Sequence, residues 1–228
     1  MRTADQIEEL TKHKTKPYQQ LNYLDKTTTE NLIKLFKYAP KIVNSGRLQH
    51  IDIKKIGITN NICDRLKRDF GDFKVRAATI WEATKPHNIH NNDSIKSDKP
   101  GLAFVFPLFH EGGIDIDARL CFFDQYYYHG AAKFFKGEKN QKEFFNKAIS
   151  DYKDISYKND KGIPKDFKEK YMSHWKDRWL DELSLQDSFP WAIGSVMKFD
   201  VCQLHGASDF RKVGIKRKIG MAIFTDMV

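Results

Sequence analysis

The sequence predicts a mainly β fold with flanking helices (α+β), in which an antiparallel sheet folds onto itself and helices pack outside. Three observations carry this reading. Helical spacing dominates the first third of the chain, five or more strand-like runs follow from Phe73, and a charged, partly helical excursion separates the last two strands from the rest. No stretch repeats at a fixed period, so solenoids and propellers are set aside.

Taken in order, residues 1–72 read as mostly helical support. Leu32, Ile33, Leu35 and Phe36 form an apolar face over Glu30 to Ala39, with cap candidates in Thr27 to Thr29 and a stop at Pro40. Val75 to Ala83 alternates as a strand, and Gly101 to Phe109 is a short apolar run suited to a buried one. The polar loop between them carries Pro86, His87, His90, Asn91, Asn92 and Asp93. A further strand runs from Ala118 to Tyr128 after the Gly112, Gly113 turn signal. Residues 133–188 read as an insertion, in which Phe167, Tyr171, Trp175, Trp179, Leu180 and Leu183 share one helical face. Strands around Val196 to Gln203 and Ile219 to Phe224 close the chain, the first delivering His205 to a turn. Residues 1–228 thus form one domain, with strands in 73–132 and 189–228.

Composition excludes several classes. The longest apolar run, Leu102 to Phe109, is too short to cross a bilayer, and no secretory leader is read at Met1, so a soluble, cytoplasmic protein is expected, in a host cytoplasm if the source is viral. Three widely spaced cysteines imply neither a disulfide framework nor a zinc knuckle. A net charge of +9 suits acidic partners, nucleic acid among them. The excess falls in two groups, Lys54 to Arg68 and Arg211 to Lys218, interleaved with apolar residues as ordinary solvated faces are.

Two histidines far apart in sequence, each near a strand end, with a carboxylate just after the first, are what a mononuclear iron(II) site needs. Two imidazoles and one carboxylate take one face of the octahedron and leave the remaining positions open. Here His90 and His205 are the imidazoles. The carboxylate, Asp93, stands one position later than in an H-x-D spacing, where Asn92 is found. With Asn92 in the slot the site loses a negative charge; a bulge that brings in Asp93 restores it, and the turn-prone loop favours that outcome. His13, His50, His87, His110, His129 and His174 read as ordinary histidines. Arg217, at the start of the final strand, offers a fork suited to the far end of a dicarboxylate. Alternation places Arg217, Ile219, Met221 and Ile223 on one face and Lys216, Lys218, Gly220, Ala222 and Phe224 on the other, and only one set can face a cavity.

On Lys85 to Asp93, Phe104 to Leu108, Phe122 to Gly130 and Trp191 to Thr225, the chain resembles the iron(II)/2-oxoglutarate-dependent dioxygenases, and within them small members frequent in bacteriophage and marine microbial genomes. The resemblance implies a double-stranded β-helix, also called a jelly roll or cupin-like barrel. It implies metal ligation by His90, His205 and either Asn92 or Asp93, with Arg217 pairing the C5 carboxylate of 2-oxoglutarate. Iron(II), 2-oxoglutarate and O2 are the implied cofactor and cosubstrates, with ascorbate as an auxiliary reductant. The implied reaction is oxidative decarboxylation of 2-oxoglutarate to succinate and carbon dioxide, coupled to hydroxylation of a substrate. Trp81, Tyr126 and Tyr128 are candidate pocket walls, and 133–188 a lid that sets specificity for a small molecule, nucleotide or peptide. Two alternatives stand beside it. One is a nucleic-acid module using the basic groups with Tyr126, Tyr127 and Tyr128 as stacking platforms, the other a barrel that lost turnover through Asn92.

Overall fold

Short local signals start and stop the helices. Helix α1 (Ala4–Lys12) begins in a capping box, with the Thr3 hydroxyl accepting from the Gln6 amide and the Gln6 side chain accepting from the Thr3 amide. Helix α2 (Lys26–Tyr38) is capped not by Thr27 to Thr29 but by Asp25, whose carboxylate accepts from both the amide and the hydroxyl of Thr28. Helix α3 (Gly57–Phe70) stops at Gly71, which takes a φ of 93°. A computed structural model of the chain describes these and the other residues in 2–44, 48–93, 99–112, 117–128, 162–180 and 183–228.

Among the described residues there are ten strands: β1 (Tyr18–Gln20), β2 (Ile42–Asn44), β3 (Leu48–Asp52), β4 (Phe73–Ala83), β5 (Leu102–Glu111), β6 (Arg119–Tyr126), β7 (Leu185–Pro190), β8 (Val196–Asp200), β9 (Gln203–Ala207) and β10 (Arg217–Met227). Two short helices, α4 (Lys165–Tyr171) and α5 (Asp177–Leu180), precede β7. All pairings are antiparallel. A seven-stranded sheet runs β1-β8-β5-β10-β4-β3-β2, and a three-stranded sheet runs β7-β6-β9.

Alternation along each strand sorts side chains into layers. Ile80, Phe104, Phe106, Met221 and Ile223 point outward from the large sheet and pack with Leu32 and Phe36 of α2 and Ile62 and Leu66 of α3. Between the sheets lie Val105, Leu120, Phe122, Met197, Phe199, Trp191 and Ala222. Outside the small sheet, Cys121, Phe123 and Leu204 meet Tyr171, Trp175, Trp179 and Leu183. The cluster expected around Trp175 therefore forms, although two short helices rather than one build it.

Three differences from the sequence reading have physical causes. Residues 1–72 also contribute β1, β2 and β3, three to five residues long and too polar to show a period-two signal; β1 and β3 form by pairing at β8 and β4. The single strand read over Val196 to Gln203 is two, because the Asp200 carboxylate accepts the Cys202 amide at 2.7 Å and turns the chain from one sheet into the other. The small-sheet strand β7 begins at Leu185, inside the span read as insertion. Residues 129–161, which take in His129 and the first part of that span, lie outside the described residues.

At the centre of β10, Gly220 pairs with Trp81, and an added Cβ there would stand 2.7 Å from Cζ2 of Trp81 and 2.9 Å from Cη2 of Trp191. The two indoles close over a position that admits no side chain. Gly220→Ala is therefore expected to lower the unfolding free energy by about 1–3 kcal/mol through overpacking. Urea denaturation measures it, and an unchanged midpoint would contradict the close approach.

Candidate metal and anion site

The chain leaves β4 at Ala83, crosses the end of the barrel through Lys85 to Asn88, and meets the edge strand β9 at one point. There His90 and His205 exchange backbone hydrogen bonds, each 2.9 Å. This antiparallel bridge extends the small sheet and sets the two imidazoles side by side, ring centroids 4.4 Å apart. His90 Nδ1 lies 2.7 Å from the Asn88 carbonyl and His205 Nδ1 lies 2.9 Å from the Gln203 carbonyl. A carbonyl only accepts, so both Nδ1 atoms carry the proton and both Nε2 atoms are unprotonated acceptors, the tautomer a metal ligand needs. Burial, reinforced by the neighbouring His90 and His87, pushes His205 well below the ordinary imidazole range, so the ring is neutral.

Asn92 and Asp93 part company. The Asn92 amide approaches His205 Nε2 at 3.1 Å, while its backbone is fixed by the Val201 carbonyl at 2.8 Å and by Arg76 donating to its own carbonyl at 2.8 Å. Asp93 faces the other way. It is bound by Arg2 through two hydrogen bonds of 2.5 and 3.0 Å, and Arg2 also donates to the Tyr128 carbonyl at 2.6 Å. Both members of this ion pair are buried. The structure thus brings His90, His205 and Asn92 together and holds Asp93 apart from them. Among the described residues no group of three His, Cys, Asp or Glu side chains is placed to hold a metal ion. Two imidazole nitrogens and one amide nevertheless fit a divalent cation. A half-turn of the Asn92 amide exchanges its NH2 for its oxygen, a hard donor, at the same point.

The final strand resolves the alternation left open by the sequence. Arg217 faces outward, 2.8 Å from Glu82 and 2.5 Å from Glu111, and it does not line the cavity. Lys218 faces in and is 2% exposed, with Nζ lying 4.0 Å from the Trp191 ring centroid and 4.6 Å from that of Phe210. No carboxylate of the described residues pairs with it. Desolvation consequently pushes its ammonium down from 10.5 to about 7.

These groups line one cavity of about 680 Å³ between the sheets. Trp81 is part of its wall, as expected. Tyr126 and Tyr128 are not; they stack on each other in the barrel core, 8% and 0% exposed, which also removes them as solvent-facing stacking platforms. Two histidines read as ordinary do reach the cavity. His87 packs on Trp81 with centroids 4.9 Å apart, and His50 stands opposite Trp81 on β3. The strand β3 that carries His50 left no trace in the sequence pattern.

The same fold occurs in three solved structures. HygX from Streptomyces hygroscopicus, with nickel and 2-oxoglutarate bound, matches with a TM-score of 0.56 at 11% identity, over 100% of this chain and 88% of that one. The non-heme alpha ketoglutarate dependent carbocyclase SnoK from nogalamycin biosynthesis matches at 0.54 and 11% identity, over 99% and 84%. The epimerase SnoN, in complex with Fe3+, alpha ketoglutarate and nogalamycin RO, matches at 0.52 and 9% identity, over 98% and 84%. The expected double-stranded β-helix is therefore the fold observed. No family model matches the sequence, and no curated protein does.

Lys218 gives the site a measurable pH signature. Its folded-state value of about 7 lies below its unfolded value, so between about pH 7 and 10 the unfolded chain holds the extra proton. Stability should rise with pH across that window, on the order of a few kcal/mol relative to Lys218→Met, which has no such proton. Denaturation at several pH values measures the difference, and a difference that stays flat with pH would contradict a neutralised lysine.

Proposed function

We propose that the protein binds iron(II) and 2-oxoglutarate in this cavity and couples decarboxylation of the cosubstrate by O2 to hydroxylation of a second substrate. One observation carries the reading. A buried lysine that pairs with no carboxylate of the described residues shares its cavity with two imidazoles set side by side, each with its Nδ1 held by a backbone carbonyl. Either feature alone has ordinary explanations; together they set a buried cation suited to a carboxylate beside two imidazoles in the tautomer that ligates a metal. The bound groups named for HygX and SnoN, which share the fold, support the same assignment.

His90 and His205 would hold the ion, with Asn92 as the third donor. Iron(II) bound there would supply activation of O2 against the 2-oxo acid. Lys218 would take the far carboxylate, in the place first given to Arg217. Its flanking indole and phenyl rings keep water from the ion pair and so strengthen it. Binding a carboxylate returns the proton that burial disfavours, so affinity for 2-oxoglutarate should fall as pH rises above about 7. The rings also hold the ammonium in one place, which fixes the direction in which the dicarboxylate enters. Because Asn92 is neutral, the protein donors cancel none of the ion's charge. The site should bind iron(II) more weakly than one with a carboxylate, and Asn92→Asp should tighten binding by about tenfold or more.

Anaerobic addition of iron(II) and 2-oxoglutarate is expected to give a weak visible charge-transfer band, and admission of air to release succinate. Lys218→Met should abolish the band, and Arg217→Gln should leave it. No band in the unaltered protein, or one lost with Arg217 and kept without Lys218, would sink the proposal.

A further inference from the structure

The cavity has a second cationic corner that the cosubstrate site does not use. On the antiparallel pair β3 and β4, His50 stands directly opposite Trp81, and His87 packs against the same indole at 4.9 Å. Lys85, two residues before His87, lies exposed at the rim of the cavity and makes no ion pair with any described residue. His50 Nδ1 is buried and has no hydrogen-bond partner. A buried polar atom left unmatched costs free energy unless a ligand meets it.

Charge points the same way. None of the described residues lining the cavity is an Asp or Glu. The nearest carboxylate on β4, Glu82, alternates to the outer face and is taken up by Arg217. The cavity therefore holds Lys218 at one position and Lys85 with His50 and His87 at another, with the Trp81 indole beside the second. One dicarboxylate at Lys218 leaves Lys85 and His50 Nδ1 unmatched.

We infer that this rim corner, built from His50, Lys85 and His87 around Trp81, recognises the substrate by an anionic group, a carboxylate or a phosphate, attached to a flat or apolar body that lies on the indole. Lys85 supplies the charge and the imidazoles the directed donors, while Trp81 gives area without a fixed hydrogen-bond pattern. Its naming as a substrate site rests on the oxygenase reading; its existence as an anion site does not.

The test uses probes of one ring system and four charges: 2-naphthoate, 2-naphthyl phosphate, neutral 2-naphthamide and cationic 2-naphthylmethylamine. Each is titrated by equilibrium dialysis into the full chain with 2-oxoglutarate at saturation, and again into Lys218→Met. Both anions are expected to bind about tenfold more tightly than the amide. The cation should bind least. In His50→Gln/Lys85→Gln the preference should vanish, with a melting temperature close to that of the unaltered chain showing that the fold survives. Which of naphthoate and naphthyl phosphate binds better identifies the group. Equal binding of amide and anions overturns the inference. So does a preference that survives the double substitution, or one that is lost only in Lys218→Met, since the anion would then sit at the inner lysine. Failure of 2-oxoglutarate to bind would count against the oxygenase reading alone, because the Lys218→Met titration still reads the rim.

Discussion

Two backbone hydrogen bonds, exchanged between His90 and His205, fasten the loop after β4 to the free edge of the small sheet. The placing of both imidazoles in the cavity depends on that exchange. The loop leaves the large sheet, and its partner strand belongs to the small one, so the bond also closes the end of the barrel. Each histidine then finds a carbonyl two residues before it for its Nδ1, which leaves its Nε2 unprotonated. Because the bridge fixes the loop's backbone, the residues after His90 have little freedom over which side they face. Asn92 falls inward and Asp93 outward, where Arg2 binds it.

The electrostatics of the interior follow from this division. Acidic side chains near the site are spent elsewhere, Asp93 on Arg2 and both Glu82 and Glu111 on Arg217. What faces the cavity is neutral or cationic: imidazoles, amides, aromatic rings and the ammonium of Lys218. Burying that ammonium between two rings is unfavourable, and desolvation lowers its proton affinity accordingly. A carboxylate of the chain's own at this position would have neutralised it, and among the described residues none lines the cavity.

Much of the fold was readable from the chain, and two of the failures share a cause. Long strands with period-two patterns, β4, β5, β6 and β10, stand where alternation and apolar runs placed them, and His90 and His205 come together. The errors concern single-residue offsets. Whether Arg217 or Lys218 faces inward depends on which face of β10 meets the helices, and Ile219, Met221 and Ile223 decide it by packing on α2 and α3. Those residues were visible in the sequence on the face of Arg217, but so were Ala222 and Phe224 on the other. The Asn92 and Asp93 alternative likewise turned on a partner, Arg2, some ninety positions away that no local pattern announces. His50 was unreadable for a different reason: β3 exists only because β4 offers it an edge.

Arg217 and Lys218 are adjacent, and each is matched to its own face of the strand, one by two glutamates and the other by two aromatic rings. The pairing of β10 with β5 already slips between Ile219 and Gly220. Loss of a single residue between Arg217 and that slip would bring guanidinium to the cavity face in place of ammonium while leaving the rest of the strand in register. A lineage carrying this dipeptide could thus pass from one anchoring cation to the other by an indel rather than by substitution at the anchor itself.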